Sequence, residues 1–217
     1  MCQIPSGLQQ RLPSKALSSI ISATIWRDTT RMNPLLEAAQ EVCEFLSEQA
    51  WEYCLIGGLA VQKWGEPRTT LDADITLFTG MGREEEFVDP TLGHFSGRLP
   101  NAREFALANR VLLVRAANGT DIDIVLGALP FEAEMIRRAK PVEFAPGVEL
   151  VCCSPEDSFI MKAFAGRPRD WLDAESIASR QSNLDNKYIL EQLEPLCALK
   201  DAPELYEKAK RILTEKR

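Results

Sequence analysis

Two pairs of aspartates stand at i, i+2 spacing: Asp72 and Asp74 in TTLDADITL, and Asp121 and Asp123 in TDIDIVL. Alternate side chains of an extended chain share a face, so each pair projects two carboxylates the same way, with Cα atoms roughly 6.6–6.8 Å apart. Asp72, Asp74 and Thr76 then face away from Leu71, Ala73, Ile75 and Leu77, and Asp121, Asp123 and Val125 face away from Ile122, Ile124 and Leu126. Ionised carboxylates on such apolar strands are costly unless cations neutralise them. Oxygen donors converging in this way suit two hard divalent ions about 3.5–4 Å apart. Upstream, Gly57-Gly58 separates an apolar run (Tyr53–Ile56) from the helix-compatible Leu59–Trp64, which Gly65 closes. A glycine pair at that junction lets the backbone approach an anion while the free N–H groups of the helix start point at it. A metal clamp beside a phosphate cradle is nucleotide chemistry.

The elements that must position these residues follow from the pattern. Asn33-Pro34 is an N-cap and first helical position, and Leu35, Leu36, Ala39, Val42, Cys43 and Leu46 form the apolar stripe of a helix leading into the strand before the glycines. The chain extends again over residues 68–77. Residues 79–100, with their glycines, prolines and the Glu84-Glu85-Glu86 run, are expected as a loop with one helical turn at most. A helix over 101–109 precedes two strands (110–116 and 120–126) joined across Asn118-Gly119, a strong hairpin signal. A helix at 131–139 and extended stretches at 141–144 and 148–153 follow. Ser154-Pro155-Glu156-Asp157 is an N-cap, a first-turn proline and first-turn acids, opening a helix to Gly166. Helices are expected over 168–180, 184–194 and 203–214, with Trp64, Trp171 and Phe164 in the core.

Size and composition bound the function. The 217 residues, 45% hydrophobic and 26% charged, are those of a globular domain with a substantial core, and no apolar run approaches a membrane span. The net charge of −7 argues against broad adhesion to nucleic acid, leaving local basic clusters: Arg137, Arg138 and Lys140; Arg167 and Arg169; Lys208, Lys210 and Arg211. Six cysteines show no CxxC spacing and fall mostly in apolar contexts, as in a reduced cytoplasmic protein. With His94 as the one histidine, in a loop-like stretch, zinc sites rich in histidine and a Ser-His-Asp triad are disfavoured. Residues 1–31 carry Arg11, Lys15, Arg27 and Arg31 against the single acid Asp28, and read as a poorly ordered or extraneous segment.

Gly57-Gly58, then Arg68-x-Thr70-x-Asp72-x-Asp74, then a later hydrophobic-Asp-hydrophobic strand, resembles the nucleotidyltransferase superfamily with the polymerase-beta-like catalytic core. Within it, Ser154–Asp157 through Lys162 and Arg169-Asp170-Trp171-Leu172-Asp173 resemble the abortive-infection (AbiEii/AbiGii) toxin type. The resemblance implies an α+β fold: a mixed sheet in a catalytic core over 32–153, with helices packed on one face, and a helical region over 154–217 that completes the nucleotide site. It implies transfer of a nucleoside monophosphate from an NTP to a hydroxyl acceptor with two Mg²⁺ (or Mn²⁺) ions. Asp72 and Asp74 would hold the ions, and Asp123 would be the third carboxylate and assist deprotonation. Asp123 is preferred to Asp121 because the apolar run Ile124-Val125-Leu126 follows it, as in the family pattern, but strand periodicity alone leaves both open. Gly57, Gly58, Arg68, Thr70 and Lys162 would contact the nucleotide, with Asp170 and Asp173 in support. For a toxin-type enzyme the acceptor is an RNA or tRNA end or a protein, and a cognate antitoxin is the expected partner. The alternatives are nucleotidylation of a small molecule such as an antibiotic, or a silent nucleotide-binding toxin–antitoxin partner.

Overall fold

Pro34 fills a first-turn position whose N–H has no helical partner to lose, and the helix it starts, α1 (Pro34–Glu48), buries Leu35, Leu36, Ala38, Ala39, Val42, Cys43, Phe45 and Leu46 on one side. The structure, a computed structural model, describes residues 33–215, so the expectation for residues 1–31 lies outside the described residues. After α1 come β1 (Tyr53–Leu55), α2 (Gly57–Trp64), β2 (Asp72–Phe78), α3 (Glu85–His94), β3 (Ser96–Gly97), α4 (Ala102–Asn109), β4 (Val111–Arg115), β5 (Asp121–Gly127), α5 (Pro130–Arg138), β6 (Lys140–Ala145) and β7 (Val148–Cys152). Four helices follow: α6 (Pro155–Ala165), α7 (Pro168–Arg180), α8 (Asn186–Leu199) and α9 (Pro203–Thr214).

The strands form one mixed sheet in the order β3-β4-β5-β2-β1-β7-β6. β2 runs parallel to β5, and β1 parallel to β7; the other neighbours are antiparallel. Period-two alternation gives the sheet two unlike faces. Ala73, Ile75, Leu77, Leu112, Val114, Ile122, Ile124 and Leu126 are all buried on the apolar one. Tyr53 lies opposite Leu77 and donates its hydroxyl to the Cys43 carbonyl (3.0 Å), which places α1 on that face. The aspartates occupy the other face, where α2 and α6 pack against each other beside β2. The five cysteines among the described residues are buried and unbridged, as small hydrophobes. No described helix is long and apolar enough to cross a membrane.

The expected loop over 79–100 is instead largely ordered as α3 and β3. Pro90 and Gly93 read locally as breakers, but Pro90 is exposed, so the carbonyl its missing N–H abandons one turn back meets water. Burial of Val88, Thr91 and Phe95, with Phe87 packed on Trp51 at 4.9 Å, overrides the weak local propensity. His94 stacks on Phe45 at 4.5 Å and Phe95 meets the same ring edge-on. The other expected elements form within a few residues of their sequence bounds. Ser154 caps α6 by accepting the Asp157 N–H (3.1 Å), and Gly166 ends it in the left-handed conformation.

Candidate active site

The parallel β2–β5 pairing sets Asp72 beside Asp121 and Asp74 beside Asp123. Each of Asp72, Asp74 and Asp123 offers a carboxylate oxygen lying within 4.8 Å of those of the other two. Asp121, on the same strand face, is instead drawn outward by Arg115 (2.9 Å). Each aspartate of β5 thus neighbours one of β2, and side-chain direction separates the two that periodicity leaves equivalent.

Asp74 sits deepest. Its Oδ2 accepts the Gly58 N–H at 3.1 Å, so one donor of the glycine turn is already committed to the acid cluster. Burial, aided by the charges of Asp72 and Asp123, pushes the Asp74 pKa from its usual 3.8 to about 6 despite that hydrogen bond. Asp123 is likewise raised by burial and by Asp72 and Asp121, with Arg98 pulling the other way. Thr70 Oγ1 donates to Asp72 Oδ1 (3.0 Å) and orients it. Both glycines are required. Gly57 has φ +62°, and a Cβ there would overlap the Asp74 carboxylate; a Cβ on Gly58 would come within 2.6 Å of Thr70 Cβ.

A cavity of about 830 Å³ opens over this cluster, lined by both glycines, Arg68, Thr70, the three aspartates and, from the helical region, Ser158, Met161, Lys162, Arg167, Arg169 and Asp170. Lys162 is no solvated helix lysine: its side chain is 12% exposed, with Nζ 3.3 Å from Asp170 and 3.1 Å from Asp173. Arg68 forks onto Asp173 through Nε (2.8 Å) and Nη2 (2.9 Å), tying the segment before β2 to α7. Burial alone would raise Asp173, but the hydrogen bonds from Arg68 and Lys162 outweigh it and hold it below the ordinary carboxylate range. Asp170 is lowered in the same way, its burial outweighed by Arg167 and Lys162. The residues expected at the site therefore converge on this cavity, although Asp173 acts from behind Arg68 and Lys162.

Three carboxylates from two strands are a hard-oxygen donor set. The cost of holding their charge in a buried cluster, seen in the Asp74 carboxyl that burial first and its acidic neighbours second push up, is what a divalent ion relieves; Asp72, Asp74 and Asp123 fit Mg²⁺ or Mn²⁺. Arg98 is the residue the sequence pattern misses. Its Nη1 contacts Asp123 Oδ1 and its Nε lies 3.6 Å from Asp121. Its local context, SGRLP, carries no strand signal strong enough to reveal it. Trp64, Trp171 and Phe164 stand outside the cavity lining, and Trp171 is buried under Lys208. Of the basic clusters, Arg137 pairs with Glu134, and Arg138 pairs with Glu156 and Asp157.

No family model and no curated protein matches the sequence. Among solved structures the chain is similar to an antigenic nucleotidyltransferase-like protein from Paracoccidioides brasiliensis, at 16% identity over 81% of this chain and 92% of that one, with a TM-score of 0.50. It is also similar to a lincomycin-bound lincosamide antibiotic adenylyltransferase (11% identity, 67% of this chain, 97% of that one, TM-score 0.46). A third is the Thermotoga maritima CCA-adding enzyme complexed with tRNA (19% identity, 87% of this chain, 49% of that one, TM-score 0.41). At these identities the likeness is one of architecture: the chain has a nucleotidyltransferase-like fold.

Proposed function

We propose that this protein is a divalent-metal-dependent nucleotidyltransferase that moves a nucleoside monophosphate from an NTP to an acceptor hydroxyl and releases pyrophosphate. The observation that carries the reading is the convergence of Asp72, Asp74 and Asp123 within 4.8 Å beside the Gly57-Gly58 turn, at the base of a cavity also lined by Lys162. The nucleotidyltransferase-like fold supports it.

The chain's own groups divide the work. Asp72 and Asp74 would hold the ions, with Thr70 orienting Asp72. Bound divalent ions would neutralise the triphosphate and favour ionisation of the acceptor hydroxyl. The N–H groups at the start of α2 other than that of Gly58 would receive phosphate oxygens, and Lys162 would place a fixed positive charge beside them. Arg68, its fork committed to Asp173, contributes mainly by fixing the wall of the cavity. The acceptor oxygen bonds to the α-phosphorus, the bond from that phosphorus to the β-bridging oxygen breaks, and the acceptor proton passes to a carboxylate oxygen of Asp123.

The acceptor we favour is a phosphate-bearing one such as an RNA or tRNA end. Arg167 and Arg169 are exposed at the cavity, and Arg169 has no carboxylate partner among the described residues. Those cations disfavour a polycationic antibiotic. A protein hydroxyl and a toxin role with a cognate antitoxin rest on the Ser154–Asp157, Lys162 and Arg169–Asp173 motifs alone. Retention of all three acids disfavours a silent nucleotide-binding protein. Incubation with NTPs labelled at the α- or γ-phosphate, Mg²⁺, and pools of RNA, protein and small hydroxyl compounds tests the reading. Label should transfer from the α-position only and disappear in Asp74→Ala; transfer of γ-label, or none to any pool, overturns it.

A further inference from the structure

Arg98 reaches the acid cluster through the sheet's register. Its backbone N–H donates to the Leu113 carbonyl at 3.0 Å, just beyond the two residues of β3. Leu113 is the direct cross-strand partner of Asp123, and Asp123 is in turn the partner of Asp74. Arg98, Leu113, Asp123 and Asp74 thus form one row across the sheet, and the guanidinium spans Leu113 to reach Asp123 from the side away from Asp74. Two strand spacings amount to about 10 Å, a distance an extended arginine and an aspartate bridge together. The ion pair is sheltered: the Arg98 side chain is 22% exposed and that of Asp123 28%. Asp121, the competing carboxylate for the guanidinium, is held by Arg115 at 2.9 Å and lies farther from Arg98, at 3.6 Å.

Of the three carboxylates, Asp123 alone is paired with an arginine among the described residues. Asp72 and Asp74 are held by neutral donors, Thr70 Oγ1 and the Gly58 N–H. Lys162 acts on Asp74 only through space, whereas Arg98 touches Asp123, and that direct contact makes the cluster electrostatically lopsided. We infer that Arg98 is a tethered cation that holds the Asp123 arm when no metal is bound and lowers the affinity for a divalent ion there, so that an ion seated by Asp72 and Asp74 binds first and the ion engaging Asp123 is retained only when the negative charge of a nucleotide triphosphate arrives. The inference rests on the metal site proposed above and assigns Arg98 a positioning role, acting through Asp123. A guanidinium in contact with one ligand repels a divalent cation at short range in a partly sheltered site, where screening is weak. It also ties up an oxygen that a second ion needs. Both effects act in the same direction.

Mn²⁺ binding, read by electron paramagnetic resonance and calorimetry on the full chain without nucleotide, tests this without requiring turnover. Wild type should show one tighter and one much weaker site. Arg98→Met should tighten the weaker site by at least tenfold and leave the tighter one within about threefold. Arg98→Lys, which keeps the charge, should stay close to wild type. Asp123→Asn in the Arg98→Met background should abolish the gain, showing that the effect passes through Asp123. Circular dichroism melts establish that each variant is folded, and Arg98→Gln, which also removes the charge and should tighten the weaker site in the same way, keeps the test decisive if the methionine variant is not. Weaker-site affinity that is unchanged or reduced in the folded uncharged variant overturns the inference and makes Arg98 a support for Asp123. Absence of Mn²⁺ binding in every variant overturns it together with the metal site. If metal binding follows the expected pattern while no nucleotide is ever transferred, the proposed reaction fails and the role of Arg98 stands.

Discussion

Replacing Asp74 with asparagine should stabilise the metal-free protein while abolishing its activity. The folded chain holds the Asp74 proton up to about pH 6, whereas the unfolded chain releases it near 3.8. Folding therefore takes up a proton between those values, and stability falls as pH rises through the window. That window is about two pH units wide, and at about 1.4 kcal/mol per unit the charged carboxylate is roughly 3 kcal/mol unfavourable at neutral pH. Asparagine keeps an oxygen to accept the Gly58 N–H, and its amide can donate to Asp72 or Asp123. Imperfect geometry offsets part of this, so a net gain of about 1–3 kcal/mol is expected, or a Tm rise of roughly 3–10 °C. The assay is urea and thermal unfolding of both proteins in EDTA at pH 7.5 and pH 4.5, repeated at pH 7.5 with Mg²⁺. The advantage of Asp74→Asn should shrink to about a third at pH 4.5, and Mg²⁺ should stabilise wild type alone. An asparagine variant less stable than wild type at pH 7.5, or an advantage independent of pH, would refute the claim that burying the Asp74 charge beside two other carboxylates costs the metal-free protein stability.

Asp173→Asn should leave Arg68 without its buried counter-charge and Lys162 with Asp170 alone, costing about 3 kcal/mol of stability by urea unfolding and weakening nucleotide binding at least tenfold by calorimetry. Because Asp173 is held below its usual pKa, its contribution is present above about pH 4 and lost as pH falls through the folded value, so the gap to wild type should close in acid. Gly58→Ala should displace Thr70 and with it Asp72; nucleotide affinity measured by fluorescence titration should fall at least tenfold, with a stability loss of about 1 kcal/mol or more. His94→Ala should lower stability by about 0.5–1 kcal/mol through loss of the Phe45 stack and leave nucleotide transfer unchanged, since His94 does not line the cavity.

Local chemistry in the sequence is enough to find the residues that carry their own pattern. Alternation in LDADITL puts Asp72 and Asp74 together, Asn118-Gly119 fixes the turn that returns Asp121–Gly127 to the sheet, and Ser154-Pro155 marks the helix that delivers Lys162. What stayed hidden depends on contacts distant in the chain. Asp123 and Asp121 are equivalent by periodicity, each neighbours an acid of β2, and they become different because Asp123 turns toward Asp72 and Asp74 while Asp121 pairs with Arg115. Arg68 looked free for phosphate because its partner, Asp173, is 105 residues away. Arg98 depends on a two-residue strand that has no pattern of its own, and α3 is held together by burial of Val88, Thr91 and Phe95 despite Pro90.

The most direct measurement is anomalous scattering from crystals grown with Mn²⁺ and a non-hydrolysable NTP analogue. Because the three carboxylates converge, manganese peaks are expected within ordinary coordination distance, about 2.0–2.3 Å, of oxygens from Asp72, Asp74 and Asp123, with the triphosphate against Gly57 and Gly58 and near Lys162. Manganese absent from all three aspartates, or a nucleotide bound elsewhere on the molecule, would contradict it.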